Sequence, residues 1–307
     1  MVKKNILITG STGFIGLKLV NRLLNEGNQV YCIVRPDSKN SDKLPHHPHC
    51  IVIRAKLSDI EMITQSIDQQ IDMIYHLAWD GIRSFDRENE SLQNQNYKNA
   101  LAIMDLAIVL KVKKFIGIGS QAEYGIKENI DETTHEDPLS AYGITKQRTH
   151  HELEEIASKN NILFYWARIF SVYGPGDDEH SLINQCIKLM FKNEDVPLTQ
   201  AIQSWDYLHI DDCVESLMSF AYYECGSGVY NIAYGESRPL SEYIELIKDL
   251  THSTSPLLYG IIPYSSHGPV NLKVDTSKTR ELLQWNPKIS FEQGIKDLII
   301  DIKKGKI

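Results

Sequence analysis

Hydrophobic and polar positions follow two periods along the chain, and the way these periods alternate predicts the fold. Up to about residue 170, short apolar runs are separated by stretches in which apolar residues recur at helical spacing. The runs lie at residues 6–8, 29–34, 50–53, 72–77, 113–119 and 162–169. The intervening stretches, such as 88–110 and 141–158, are long enough for the crossover helices of a parallel sheet. The pattern therefore predicts an α/β fold with helices on both faces of a doubly wound parallel sheet.

A turn with three glycines follows the first apolar run. Gly10, Gly13 and Gly16 precede an apolar-periodic stretch that starts at Phe14. Glycine permits positive φ and lets backbone N–H groups approach a diphosphate, whose charge the helix dipole also stabilises. Because a strand comes before the glycines and a helix after them, the spacing indicates a dinucleotide-binding turn of the Rossmann type rather than an ordinary turn.

The pattern becomes mixed after residue 172, which suggests a second lobe. Helices are expected near 181–192, 210–223, 240–251 and 276–283. We therefore expect residues 1–172 to form a Rossmann dinucleotide-binding domain, to which later segments return, and residues 173–307 to form mainly a smaller, mixed α/β substrate-binding lobe.

Composition and net charge argue against several classes of partner. The net charge of −8 argues against a nucleic-acid surface, and the five cysteines contain no CxxC pair. No apolar run reaches the ~18 residues of a membrane span, and no secretory pattern precedes the first strand, so we expect a cytoplasmic protein with no membrane partner. We also predict no metal site. His46, His47 and His49 lie in a polar loop without suitable partners, and the consecutive His150 and His151 should diverge from a helix.

A tyrosine and a lysine four residues apart supply candidate chemistry. Tyr142 and Lys146 share one face of the predicted helix, where an ammonium beside the phenol favours its ionised form. Such a phenol exchanges a proton with a carbonyl or carbinol oxygen while a nicotinamide exchanges the hydride. Ser120, at the end of the strand predicted at 113–119, is the best candidate to hold that oxygen, because strand ends line the ligand crevice.

An ordered set of motifs resembles the extended short-chain dehydrogenases/reductases of the NAD-dependent epimerase/dehydratase family, which act mostly on nucleotide-activated sugars. The matching segments are 9–16, 76–79, Asn96, 119–125, Tyr142 with Lys146, 168–175 and 205–212. The resemblance implies catalytic roles for Ser120, Tyr142 and Lys146, and a homodimer built by helices around 90–110 and 140–158. It also implies cofactor contacts at Gly10, Thr12, Gly13, Phe14, Ile15, Gly16, Leu57, Leu77, Ala78, Trp79, Asn96, Tyr142, Lys146, Phe170 and Ser171.

Two departures from the family pattern concern the reaction and the cofactor. Gln121 and Ala122 stand where the 4,6-dehydratases carry an Asp-Glu pair, and neither residue shuttles a proton, which disfavours dehydration. Arg35 stands where NAD-using members often have Asp, and a guanidinium suits a 2′-phosphate. We therefore expect NADP(H), with NAD(H) as the second option. The alternative for Arg35 is a surface charge before the turn at Pro36.

A third departure concerns the substrate. Trp205 replaces the Arg that meets the substrate diphosphate in many relatives, so the anion must be held by other residues. Two roles stay open for Trp205, stacking on a base or packing in the core, and two for Glu123, bonding substrate hydroxyls or holding its own loop. The candidate substrate contacts are Arg83, Gln121, Glu123, Ser171, Trp205, Arg238 and His267.

These observations predict an NADPH-dependent reductase of a 4-keto nucleotide sugar, most simply a 4-keto-6-deoxyhexose, with Tyr142 as proton donor. A nucleotide-sugar 4-epimerase that retains NAD uses the same three residues and is the alternative enzyme. A catalytically silent binding or scaffold protein with this fold is the alternative of another class, and the intact Ser120, Tyr142 and Lys146 argue against it.

Overall fold

A seven-stranded parallel sheet forms the centre of the molecule, whose computed structural model describes residues 3–83, 85–264 and 268–304. The strands of the described chain are β1 (Asn5–Thr9), β2 (Gln29–Val34), β3 (Cys50–Arg54), β4 (Met73–His76), β5 (Lys114–Ser120), β6 (Leu163–Ile169), β7 (Ser171–Tyr173), β8 (Val196–Pro197), β9 (Ser204–Trp205), β10 (Tyr207–His209), β11 (Gly228–Ile232), β12 (Arg238–Pro239) and β13 (Leu257–Leu258). The central sheet has the order β11, β6, β5, β4, β1, β2, β3.

The helices connect and cover these strands. They are α1 (Phe14–Asn25), α2 (Ile60–Gln65), α3 (Glu90–Val109), α4 (Ala141–Lys159), α5 (Leu182–Phe191), α6 (Ile210–Tyr222), α7 (Leu240–Thr251), α8 (Ser277–Leu283) and α9 (Phe291–Lys303), with short 3-10 helices at Ser41–Lys43 and Gln121–Glu123. The predicted α/β fold is confirmed. The six predicted strands and the helices predicted from the sequence lie within one or two residues of the predicted bounds, whereas β11, the seventh strand of the central sheet, was not predicted.

The strand order places a crevice where the candidate site was expected. From β1 the chain passes to β2 and β3 on one side of the sheet, whereas β4, β5 and β6 extend on the other. Neighbouring crossovers therefore diverge beyond the carboxyl ends of β1 and β4, which is where ligands bind in open α/β sheets. The glycine turn, the residues after β4 and Ser120 all lie at this edge.

Apolar side chains form a core on each face of the sheet and a third core in the C-terminal lobe. Residues of α1, α6 and α8 pack on one face, and residues of α2, α3 and α4 pack on the other. The third core contains residues of α5, α7 and α9. Helix α9 was not predicted, although Phe291, Ile295, Leu298 and Ile299 form its buried face. Strand β11 pairs with β6 in the central sheet, and the division of the chain at residue 172 stays a prediction.

None of the helices in the described part of the chain has the combined length and apolar character that crossing a membrane requires.

Candidate active site

The glycine turn between β1 and α1 is too close-packed for other residues. Gly10 has φ +71, and a Cβ there would lie 2.7 Å from the Leu77 carbonyl carbon and the Ala78 nitrogen. A Cβ on Gly16 would collide with the Gly10 carbonyl oxygen. Gly13 caps α1 and has no side chain that could accept from the first-turn N–H groups of this helix. The turn is therefore a cradle of backbone donors with the positive end of a helix dipole, which fits a diphosphate.

Two adjoining cavities form one cleft along the carboxyl edge of the sheet. They have volumes of about 410 and 480 Å³ and share Gly10, Gly13, Leu77 and Trp79 as lining residues. The outer cavity is also lined by predicted cofactor residues Thr12, Arg35, Leu57, Ala78 and Asn96. The inner cavity is also lined by Phe14, Ile15, Gly16, Ser120, Tyr142, Lys146, Phe170 and Ser171. The structure thus brings the predicted cofactor and catalytic residues onto one continuous surface.

Ser120, Tyr142 and Lys146 converge on the inner cavity from two elements. Ser120 ends β5, and Tyr142 and Lys146 lie in the first two turns of α4, which begins after the capping residue Ser140. The Lys146 ammonium donates to the Ile118 carbonyl at 2.6 Å and lies 3.6 Å from the centre of the Trp79 ring. It lies 5.9 Å from the centre of the Tyr142 ring. The lysine is therefore fixed between β5 and the loop after β4.

Burial shifts both titratable groups of this trio toward their neutral forms. It lowers the pKa of the Lys146 ammonium to about 7, against a smaller opposing effect of Glu123. Burial likewise raises the pKa of the Tyr142 phenol, while the Ser120 side chain and the charge of Arg87 act in the opposite direction and Glu123 adds to the rise. Burial thus raises the free energy of the charged form of each group. Neighbouring groups that stabilise the ammonium or the phenolate shift each pKa back toward its ordinary value.

Asn96 and Arg35 mark the outer cavity. The Asn96 amide accepts from the Asp80 nitrogen at 3.0 Å and donates to the Asp80 carbonyl at 2.8 Å, which fixes the loop that follows β4. Arg35 is largely exposed at the end of β2 and pairs with the Asp80 carboxylate at 3.1 Å. This exposed pair leaves the guanidinium free to exchange partners at low cost.

Glu123 differs from its predicted role as a substrate ligand. It is fully buried, and its carboxylate accepts from the Ser120 nitrogen at 2.7 Å, from the Trp166 indole and from the Arg168 guanidinium at 2.8 Å. With both oxygens occupied inside the protein, Glu123 holds the loop of Ser120, which was the second role considered for it. Sequence gave no sign of Arg168 as its partner, because that pair joins side chains from β6 and the 3-10 helix.

The remaining predicted substrate residues fall into separate environments. Gln121, Ser171 and Trp205 line the inner cavity, where the Gln121 carbonyl accepts from the Ser120 hydroxyl at 3.0 Å. Arg83 forms an ion pair with Asp178, and Arg238 lies 4.2 Å from the centre of the Tyr243 ring, outside the residues that line the cleft. His267 lies outside the described residues. Arg83 and Arg238 therefore contact protein partners and are not among the residues that line the cleft.

Trp205 is half-buried beside this group. It pairs with Arg238 across the β9 and β12 strands, and its indole nitrogen is buried without a partner among the described residues. The side chain contributes to the apolar contacts of the C-terminal core and also borders the cavity. Core packing, one of the two roles considered for it, is thus observed, whereas stacking on a base stays a prediction.

Two charged residues of the inner cavity were missed by sequence reasoning. Arg87 and Asp177 both line it, and the Arg87 guanidinium carbon lies 5.1 Å from the centre of the Tyr142 ring. Arg87 lies in a polar segment between β4 and α3 that has no regular period, so nothing in its local pattern distinguishes it from a solvated charge. Its proximity to Tyr142 arises from the packing of that segment on the start of α4.

Glu136 contacts two consecutive histidines of α4, of which His150 is buried and His151 is exposed. Its carboxylate lies 3.7 Å from His150 Nδ1 and 3.0 Å from His151 Nε2, and it also pairs with Arg168. The expectation that these consecutive histidines diverge was therefore wrong, because the loop carrying Glu136 reaches both rings. The adjacent Arg168 charge opposes a cation at this position.

A family model described as the NAD dependent epimerase/dehydratase family matches residues 6–233. The CDP-abequose synthase of Salmonella muenchen is 30% identical over 305 residues, which are 97% of this chain and 98% of that protein.

Solved structures of similar shape include a UDP-glucose 4-epimerase from Thermotoga maritima with UDP-glucose, at a TM-score of 0.88 and 24% identity over 99% of this chain and 100% of that one. A UDP-glucuronic acid 4-epimerase from Bacillus cereus in complex with NAD aligns with a TM-score of 0.83 and 25% identity, covering 98% of each chain.

Proposed function

Since the chain belongs to the NAD dependent epimerase/dehydratase family, we propose that it is an NADPH-dependent reductase of a 4-keto nucleotide sugar, most simply a 4-keto-6-deoxyhexose. The observation that carries this proposal is the convergence of Ser120, Tyr142 and Lys146 on one cavity with the glycine turn. The name of the relative that makes CDP-abequose, a nucleotide-activated deoxysugar, supports the same substrate class.

The residues of the cavity fit a nicotinamide dinucleotide. Backbone donors of the 10–16 turn would hold its diphosphate, and the residues around Leu77 and Phe170 would border its reactive end. When bound, the dinucleotide supplies a hydride to a carbonyl carbon or takes one from a carbinol. The NAD complex of the Bacillus cereus relative supports a dinucleotide of this kind, and Arg35 is the reason for proposing the 2′-phosphate form.

The chain's own residues supply the proton chemistry. In the proposed reaction the Tyr142 hydroxyl protonates the oxygen at C4, and the Ser120 hydroxyl donates a hydrogen bond that orients this oxygen. The Lys146 ammonium would stabilise the phenolate that remains and bond the ribose next to the nicotinamide. Trp79, packed edge-on against Tyr142 with ring centres 6.2 Å apart, excludes water from one side of the phenol.

Gln121 and Ala122 argue against elimination of water. They follow Ser120 directly, and the Gln121 amide is hydrogen-bonded to the Ser120 hydroxyl. An amide and a methyl group do not exchange protons near neutral pH, so an acid–base pair is missing from these positions. Simple carbonyl reduction needs only the phenol already present.

A nucleotide-sugar 4-epimerase is the second candidate. It is favoured by the likeness of the whole chain to two solved 4-epimerases, and it uses the same hydroxyl, phenol and ammonium. In that case the dinucleotide would be retained and regenerated in each cycle. Net consumption of the dinucleotide therefore separates the two candidates.

We also propose a homodimer formed by α3 and α4. These helices pack side by side over one face of the sheet, and the outer surface of α4 exposes Ile144 within a row that includes Arg148 and His151. A large apolar side chain on a polar helix surface is suited to contact with a second copy.

The proposal is tested by turnover with defined stoichiometry. Purified protein is incubated with NADPH or NADH and a panel of 4-keto and 4-hydroxy nucleotide sugars, and products and dinucleotide are quantified together. We expect one NADPH consumed per 4-hydroxy product from a 4-keto substrate. Conversion of a 4-hydroxy sugar to its epimer without dinucleotide consumption would show that the protein is a 4-epimerase and not a reductase.

A further inference from the structure

Arg87 provides a permanent positive charge at the edge of the candidate active site. Its guanidinium carbon is 5.1 Å from the centre of the Tyr142 ring, closer than the Lys146 nitrogen at 5.9 Å. Within the described chain, no carboxylate forms an ion pair with this guanidinium, although Arg22, Arg35 and Arg83 each have such a partner. Its charge is therefore directed at the cavity rather than neutralised beside it.

The position of Arg87 is fixed by three contacts. Its Nε donates to the Ile82 carbonyl at 2.9 Å, and its own carbonyl accepts from the Tyr142 nitrogen at 2.8 Å. The half-buried side chain then lies against the Tyr142 ring. The hydrogen bond between the Arg87 carbonyl and the first turn of α4 therefore helps to hold the cation beside the phenol.

Lys146 alone is a weak source of positive charge at neutral pH. Burial lowers the pKa of its ammonium to about 7, so a large fraction is uncharged there in the free protein. A guanidinium is charged at every pH at which the protein is folded. Of the two cations near the phenol, Arg87 is the one whose charge does not depend on occupancy of the cleft.

The groups that face Tyr142 come from four elements. Lys146 faces it from α4, Ser120 from β5, Glu123 from the 3-10 helix and Arg87 from the segment before α3. Glu123 opposes ionisation of the phenol, but its charge is shared with Arg168. Glu88 lies nearby and accepts from the Ala141 nitrogen at 3.2 Å. Arg87 and Ser120 are thus the neighbours that offset burial of the phenol.

We propose that Arg87 is a positioning residue that stabilises the Tyr142 phenolate from the segment before α3, as a second cation beside Lys146. The effect of Arg87 on turnover rests on the proposed function. Its effect on the pKa of Tyr142 does not, because it can be measured without substrate. It extends the catalytic trio by a residue from a third stretch of the chain and explains why an arginine in an irregular segment lies against the phenol.

The electrostatic part is tested without substrate. Ionisation of Tyr142 is followed as the ultraviolet difference absorbance between the protein and its Tyr142→Phe variant, with circular dichroism recording the fold at each pH. In the Arg87→Met background, the midpoint should rise by about one pH unit, since a neighbouring unit charge commonly shifts a pKa by that amount. Arg87→Lys should restore part of the shift, and Lys303→Met, which removes a cation 5.6 Å from the Phe191 ring, should leave the midpoint unchanged.

Steady-state kinetics then separate an effect of Arg87 on the Tyr142 phenol from a role in substrate binding. Arg87→Met should lower kcat about tenfold at neutral pH, because the phenol becomes a weaker acid, and leave KM for the sugar nearly unchanged. The fall of kcat at high pH should move upward by about one pH unit, because the phenol stays protonated to a higher pH. An unmoved phenol midpoint in a folded Arg87→Met protein would overturn the proposal, as would a raised KM with an unaltered pH profile, which would make Arg87 a substrate ligand. A shifted midpoint in a protein that reduces none of the sugars would refute the proposed function and leave the role of Arg87 intact.

Discussion

At the residue scale, chemistry-bearing side chains were predictable where a motif fixed their spacing. Tyr142 and Lys146 share a helix face, and Ser120 ends a strand of the predicted sheet, so the sequence placed all three at one edge. Arg87 and the pairing of Glu123 with Arg168 were not predictable. Their contacts join separate stretches of chain, and no local period records which side chains meet across that distance.

Lys146 predicts a defined pH dependence of stability. Its pKa falls from 10.5 to about 7 on burial, so between these values the unfolded chain binds more protons than the folded protein. The free energy of unfolding therefore gains a contribution that rises with pH across this window and is flat below it. Urea unfolding should show that the free energy of unfolding of wild type, relative to that of Lys146→Met, increases with pH from 7 upward.

The exposed Lys188 on α5 is the control for this titration. The difference between Lys188→Met and wild type should not show the growth with pH expected for Lys146→Met, because the Lys188 side chain stays exposed in the folded protein. A pH-independent difference for Lys146→Met as well would contradict the account of its burial.

Arg35 predicts the choice between the two dinucleotides. Arg35→Gln removes the charge at the end of β2 and keeps a side chain able to hydrogen-bond a ribose hydroxyl. Calorimetry should show affinity for NADPH reduced about tenfold or more, because a charge-assisted contact to the 2′-phosphate is lost, with affinity for NADH nearly unchanged. Equal weakening of both dinucleotides would count against a phosphate contact and favour the simple surface pair with Asp80.

At the scale of elements, periodicity was sufficient for six of the seven strands of the central sheet and most helices. A strand that is buried on both faces reads as an apolar run, and a crossover helix as a 3.6-residue period, so β1 to β6 and α3 and α4 were visible in the sequence. The two-residue strands β8, β9, β12 and β13 carry no period of their own. Their pairing depends on tertiary contacts, which no local pattern in the sequence records.

Substitution by alanine should lower the free energy of unfolding by different amounts at two glycines of similar φ. Gly10 lies in the turn between β1 and α1, and Gly27 lies between α1 and β2. Gly27→Ala places a Cβ in open space at φ +81, so it should cost only the left-handed strain, about 1–2 kcal/mol. Gly10→Ala combines the same strain at φ +71 with contacts of 2.7 Å to backbone atoms of residues 77 and 78, which should add about 1–3 kcal/mol.

Urea unfolding of the two variants without cofactor measures these costs, and calorimetry with each dinucleotide gives the affinity. Gly10→Ala alone should also lose dinucleotide binding, since its methyl group displaces the backbone that forms the cradle. Equal stability losses together with intact binding in both variants would show that the turn is not packed against β4 as described.

At the scale of the whole molecule, C-terminal residues border the cleft at the carboxyl edge of the sheet. Strand β7 leaves the sheet and pairs with β10, which joins the lobe to the edge where Ser171 and Trp205 line the inner cavity. The fold class followed from the sequence. The way in which the substrate's anion is held did not, because Arg83 and Arg238 are paired or packed elsewhere and the family's arginine position holds Trp205.

The proposed dimer gives a prediction for the intact protein. Ile144, 51% exposed on α4, should lie in the contact between copies, so Ile144→Asp should shift the protein toward monomer in analytical ultracentrifugation. Ile300→Asp is the matched control, because Ile300 is 45% exposed on α9, away from that surface. A monomeric wild type, or dissociation by both variants alike, would contradict an interface formed by α3 and α4.

The central claim is that this cleft transfers a hydride to C4 of a nucleotide sugar while Tyr142 supplies the proton. Its most direct test uses NADPH deuterated at the transferring position and a 4-keto-6-deoxy nucleotide sugar, with mass spectrometry and NMR of the product. The account predicts one deuterium at C4 of each product molecule and one dinucleotide oxidised, with Tyr142→Phe still binding the dinucleotide but turning over more than about 100-fold slower. Product without deuterium at C4, or near-normal turnover by Tyr142→Phe, would contradict it.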